Sequence, residues 1–149
     1  DRRGESAYAA RAAAVGARLD ALDARFTTGL AQCDRRVLVT THDAFGYLAR
    51  AYDLRPEGVT GLAPDAEPDP ARLAELADLI ERTGTTTVFT EELVSPRIAR
   101  TLAREAGGVR VAVLNPLEGL TDAERRAGDD YIEVMDRNLA RLRRALGCT

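Results

Sequence analysis

From residue 5 to about residue 32, apolar positions recur every three or four residues: Tyr8, Ala12, Val15, Leu19, Leu22, Phe26 and Leu30. That spacing draws one apolar stripe along one face of a helix. At about 1.5 Å per residue the helix would be about 40 Å long, more than one layer of strands needs. The pattern fits an amphipathic edge helix and equally a strut reaching towards a second body. Beyond it the period alternates. Short β-rich apolar runs at 37–41, 59–62, 86–90 and 109–114 are separated by helical segments at 43–52, 69–83, 96–106 and 121–146. Asp69-Pro70 and Ser95-Pro96 each place a capping residue before a first-turn proline, and Gly84 and Gly107-Gly108 mark helix ends. Alternating strands and helices predict an α/β fold, a four-stranded parallel sheet with helices on both faces and right-handed crossovers.

In an open parallel sheet, ligands bind beyond the carboxyl ends of the strands. The loops at that edge read "TTHDAFG" (40–46), "GLAPDAEP" (61–68), "FTEELVSP" (89–96) and "LNPLEGLT" (114–121). Each carries a side chain able to ligate metal: His42; Asp65 and Glu67; Glu91 and Glu92; Glu118 and Asn115. The opposite edge has no comparable set. His42, the only histidine of the chain, is expected at a helix N-terminus, where the dipole disfavours imidazolium and leaves a lone pair for zinc or manganese. Asp43 beside it would cap that helix or bond to the imidazole. The residues alone also allow a histidine that merely bonds its own backbone.

Composition narrows the chemistry. The chain has 149 residues, 45% hydrophobic and 30% charged, enough for one domain with a core of its own. The net charge of −3 argues against a nucleic-acid surface. All basic residues are arginines, which together with the abundance of alanine fits a compositional bias of the genome. No apolar run approaches the roughly 18 residues of a membrane span. There is no G-x-S-x-G elbow, no G-x-G-x-x-G and no P-loop. Glu91 and Glu92 are adjacent, so their carboxylates need not converge. No catalytic or nucleotide-binding set emerges.

Cys33 and Cys148 form no C-x-x-C motif. The topology returns both to the edge where the first strand begins. A disulfide there would close a very long loop and imply an extracytoplasmic compartment; two thiols in a reducing compartment are the other possibility. The first residue is not Met, so a mature chain or a piece of a longer one is expected, and the long first helix favours the piece.

Several stretches, in order, are similar to one family. "ESAYAARAAAVGARLDALDARF" looks like the end of an interlobe helix with its "L-D-x-L-D" close. "VTTHDAFGYLARAYDL" is similar to a strand, a T-H-D-A-F/Y-G-Y motif and a helix. "GLAPDAEPDPARLAELADLI" resembles an "S-P-E-A-E-P-S-P" loop and the helix after it. "VFTEELVSPRIARTLARE" and "VLNPLEGLTDAERRAGDDYIEVMDRNLARLRRAL" resemble the remaining strand–helix units and the closing helix. Across essentially its whole length the chain resembles the C-terminal lobe of the metal-specific solute-binding proteins of zinc and manganese ABC transporters.

The resemblance implies that 1–32 is an interlobe linker helix and 33–149 a C-terminal α/β lobe. It implies that His42 is a metal ligand and that a second comes from the loop after the fourth strand. The usual "D-P-L-G" there is replaced, with Asn115 at the aspartate position; the "N-P-L-E-G" variant transfers the ligand role to Glu118. Asn115 would then be a further oxygen donor, or a hydrogen-bond partner of a metal-bound water or carboxylate. It further implies a Cys33–Cys148 disulfide, two more histidine ligands from an N-terminal lobe outside this chain, and delivery to an ABC permease at the membrane. The expected cargo is zinc ahead of manganese, since manganese sites favour a carboxylate where His42 stands. The expected location is extracytoplasmic, in the periplasm or lipid-anchored at the cell surface. The expected role is transport rather than catalysis. The rivals are a small metal-assisted α/β hydrolase and a metal-independent adhesin or interaction module.

Overall fold

The computed structural model describes residues 4–62 and 67–149. Its elements are α1 (Glu5–Leu30), β1 (Val37–Thr40), α2 (Gly46–Ala51), β2 (Arg55–Gly58), α3 (Pro70–Thr83), β3 (Thr87–Thr90), α4 (Arg97–Glu105), β4 (Arg110–Val113), α5 (Asp122–Ala127) and α6 (Tyr131–Leu146). The strands form one parallel sheet in the order β2-β1-β3-β4. Among the described residues no helix is long and apolar enough to cross a membrane.

Alternation within each strand sorts the core into two layers. Leu38 and Phe89 point to one face, where Leu22, Phe26 and Leu30 of α1, Ala49 of α2 and Leu142 and Leu146 of α6 cover them. Val39 and Val88 point to the other, under Leu76 and Ile80 of α3 and Ala99 and Leu102 of α4. The chain therefore leaves β1 for a helix on one face and leaves β3 for a helix on the other. Between those neighbouring strands lies the switch point of the sheet, where outgoing loops part and open a crevice.

Four local expectations are corrected. The second strand is Arg55–Gly58, not 59–62. It is an edge strand, and its pairing backbone donors alternate: the Arg55 N–H reaches the Arg36 carbonyl and the Val59 N–H the Thr40 carbonyl. Pro56, which has no N–H to give, falls on the free edge, where proline is tolerated. Such a strand carries no apolar run to betray it. The helix after β1 starts only at Gly46, with Phe45 as N-cap and no side-chain cap. Asp43 instead approaches the end of β2, so closely that a Cβ at Gly58 would collide with its Oδ1. The fourth helix begins after Pro96, which is itself the N-cap, and Ser95 does not cap it. Finally, 121–146 is two helices. Gly128, at φ 76°, ends α5, and Asp130 with Glu133 forms a new capping box for α6.

The apolar stripe of α1 divides in two. Leu22, Phe26 and Leu30 are buried against α6, and the pairs Arg18–Asp130 (2.7 Å) and Arg25–Asp136 (2.8 Å) flank that contact. Tyr8, Val15 and Leu19 are exposed. Cys33 and Cys148 form a disulfide at the start of β1 and the end of α6. The ends are also zipped by backbone bonds, from Arg35 N–H to the Leu146 carbonyl (3.0 Å) and from Thr149 N–H to the Gln32 carbonyl (3.1 Å).

Candidate metal site

Two residues past the end of β1 and one past the end of β3, His42 and Glu91 face each other across the switch point. Their meeting follows from register. Thr40 pairs with Phe89, and partners in a parallel ladder point to the same face. Extending that pairing by two residues brings His42 beside Glu91. Both are buried, at 2% and 5% exposure. The Glu91 carboxylate takes a very short hydrogen bond from His42 Nδ1, and it also accepts the Thr41 hydroxyl at 3.0 Å. With the carboxylate as acceptor, Nδ1 is the donor, and Nε2 is the ring nitrogen left to face another partner. The helix dipole expected for this task plays no part, because α2 begins too far along the chain and is only six residues long.

The imidazole is fixed from its backbone as well. The Thr40 hydroxyl and the Ala44 N–H both donate to the His42 carbonyl, at 2.8 and 3.0 Å. Its Nε2 edge faces Glu118 Oε1 at 3.7 Å. That is too long for a hydrogen bond. It is close to the separation of about 3.3 Å that a tetrahedral ion with bonds of about 2.0–2.2 Å imposes on two of its ligand atoms. One ligand atom each from His42, Glu91 and Glu118 lies within 4.8 Å of the others. Glu118 is the open member, its side chain 60% exposed against 3% for His42.

The loop that carries Glu118 is built on Asn115. Its Oδ1 accepts the Leu117 N–H at 2.8 Å, closing a tight turn, and its Nδ2 reaches Glu124 at 3.4 Å. The Asn115 side chain is thus spent on the loop rather than turned to the histidine. Leu117 stands at φ 66°, a left-handed conformation rare for a branched side chain. Glu124, at the third position of α5, is held by the Thr121 N–H and hydroxyl (2.8 and 2.9 Å) and by Arg137 (3.2 Å). These bonds, the Thr121 N–H foremost, hold its carboxyl below the usual glutamate range against the opposing effect of burial.

The other carboxylates from the sequence disperse. Glu92 turns to Arg141 at 3.7 Å, so the adjacent pair does diverge. Glu67 is exposed and outside the cluster. Asp65 lies outside the described residues. Glu91 is the member whose particular task the sequence did not single out; its signal is strand register, which one sequence does not display.

The sequence model of the family described as zinc-uptake complex component A, periplasmic (ZnuA), matches residues 1–145. The zinc-binding lipoprotein AdcA of Streptococcus pneumoniae serotype 4 is 46% identical over 132 residues, 89% of this chain and 26% of that protein. The solved structure of the Zn(II)-bound ZnuA-like domain of Streptococcus pneumoniae AdcA is similar with a TM-score of 0.78 and 40% identity, over 97% of this chain and 54% of that one. The laminin-binding protein Lbp of Streptococcus pyogenes is similar with a TM-score of 0.87 and 31% identity, over 98% and 56%. The chain spans about a quarter of the length of the lipoprotein and about half of each solved chain. The match over residues 1–145 means that the chain belongs to the family of zinc-uptake complex component A, periplasmic.

Proposed function

We propose that this chain forms one wall of a zinc-carrying site in an extracytoplasmic solute-binding protein that hands its ion to an ABC permease. His42 contributes Nε2 and Glu118 a carboxylate oxygen, while the remaining ligands come from a part of the protein outside this chain. Residues 1–32 act as the linker helix to that part and residues 33–149 as the lobe. The exposed half of the α1 stripe is in keeping with a helix that has more to cover than this lobe supplies.

One observation supports the reading above all others. A buried imidazole has one nitrogen committed to a buried carboxylate and the other aimed, 3.7 Å away, at a second carboxylate too far off to be its hydrogen-bond partner. Neutral imidazole with carboxylate oxygen suits zinc, and it serves manganese less well. A site completed by further imidazoles has no open position for water activation, so capture and release are favoured over metal-assisted hydrolysis. The zinc-binding names of relatives such as the pneumococcal lipoprotein point the same way.

The test is a competitive zinc titration of the chain beside His42→Ala and Glu118→Ala. Weak binding that both substitutions weaken further supports the half-site. Tight binding of one equivalent by this chain alone overturns the need for outside ligands. Zinc binding indifferent to both substitutions overturns the ligand assignment. No effect of zinc on binding or thermal stability favours a metal-independent interaction module.

A further inference from the structure

Asn138 lies in the middle of α6 and is wholly buried. Its carboxamide embraces one residue's backbone: Oδ1 accepts the Asn115 N–H at 3.0 Å and Nδ2 donates to the Asn115 carbonyl at 2.7 Å. Asn115 is where β4 gives way to the loop of Glu118. The amide therefore clamps the base of that loop to a helix that is itself welded to α1 and to the disulfide. Only Pro116 and Leu117 separate the clamp from Glu118, and the loop around them is constrained. The Asn115 side chain fixes the Leu117 N–H, Leu117 is held left-handed, and at Gly119 a Cβ would crowd Leu93.

We infer that Asn138 is a positioning residue for zinc capture, acting through the Asn115 backbone to hold the Glu118 carboxylate opposite His42 Nε2. The inference rests on the ligand role proposed for Glu118. A buried amide satisfying two backbone groups would also serve stability alone, so the two roles need separating. A merely structural Asn138 changes folding and leaves any loss of zinc affinity independent of Glu118. A positioning Asn138 changes affinity only while Glu118 is present to be positioned.

The experiment is a double-mutant cycle on the 149-residue chain, read by competitive zinc titration and thermal unfolding: Asn138→Ala, Glu118→Ala and the two together. We expect Asn138→Ala to lower zinc affinity by about tenfold, the low end of what supporting partners of metal ligands supply, and to have no further effect once Glu118 is alanine. Equal losses in both backgrounds overturn the inference while leaving Glu118 a ligand. No loss in Glu118→Ala itself overturns the ligand role, and this inference with it.

Asn138→Ala removes a buried clamp and risks unfolding, so a second variant carries the same test. Leu117→Gly leaves the Asn138 clamp in place, relieves the left-handed backbone and frees the loop, the relief offsetting in part the loss of a half-buried side chain. It is expected to fold cooperatively, with a melting temperature closer to that of the unsubstituted chain than Asn138→Ala has, and to lower zinc affinity about threefold, by loosening preorganisation, again only while Glu118 is present. Unchanged affinity in Leu117→Gly would show that the loop needs no positioning and would overturn the inference.

Discussion

The Nδ1 edge of His42 rests on the buried carboxylate of Glu91, which leaves Nε2 as the edge that faces Glu118. The orientation of the ring is thus set from the side away from Glu118. Replacing Glu91 by alanine should reduce zinc affinity by about 10–100-fold. It also strands the imidazole N–H and the Thr41 hydroxyl in the interior, at a stability cost of about 1–3 kcal/mol. Glu91→Gln should recover part of the stability through Thr41 and little of the affinity, since a neutral amide makes a weaker acceptor. Zinc titration and urea unfolding of the two variants check both expectations.

The arrangement shows what a single sequence reveals and what it hides. His42 stands out as the sole histidine, in a loop at the carboxyl edge of the strands, whereas Glu118 is separated from the other carboxylates of that edge only by the "N-P-L-E-G" resemblance. Glu91 and Glu92 were indistinguishable on paper. Only the pairing of Thr40 with Phe89 decides that the first points at His42 and the second at Arg141. The parallel sheet was legible in β1, β3 and β4, whose apolar residues serve a two-sided core. It was not legible in β2, whose four residues "RPEG" sit on an edge and are placed by pairing rather than by burial. The helix expected over 121–146 divides because Gly128 takes a left-handed conformation and the Asp130–Glu133 box starts a new helix.

The Cys33–Cys148 disulfide spans 115 positions. In the loop-entropy account, closing so long a loop stabilises the fold by about 4–5 kcal/mol, mostly by restricting the unfolded chain. Cys33→Ser with Cys148→Ser should lower the urea midpoint by an amount approaching that energy. Native structure should survive, because the backbone bonds between Arg35 and Leu146 still join the two ends. Denaturation with and without reductant measures it, and an unchanged midpoint under reductant would sink the expectation.

Along α1, neighbouring turns should behave differently. Phe26 is fully buried and packs against the Tyr52 ring at 5.1 Å, so Phe26→Ala should cost about 3–5 kcal/mol. Leu19, about two turns earlier and exposed, should tolerate alanine within about 0.5 kcal/mol in this chain. Comparable losses at both positions would mean that the upper turns of α1 are covered after all.

Acid should loosen the support of the loop that carries Glu118 before it reaches the core. The Glu124 carboxyl is held below its usual range, chiefly by the Thr121 N–H and then by the Thr121 hydroxyl and Arg137. A carboxylate with a depressed folded pKa stabilises the fold fully above its unfolded value, and that contribution is lost as pH falls through the folded one. Stability in the wild-type chain should therefore decline as pH drops below about 4.5, the ordinary value for this group. In Glu124→Gln, which accepts from Thr121 but has no charge to lose, that part of the decline should vanish. The variant should start less stable at neutral pH, because the Arg137 guanidinium then faces an uncharged amide. Urea unfolding of both proteins between pH 3 and pH 7 measures the difference. Parallel curves would mean that Glu124 titrates alike in folded and unfolded chains and that its bonds to Thr121 carry no net preference for the anion.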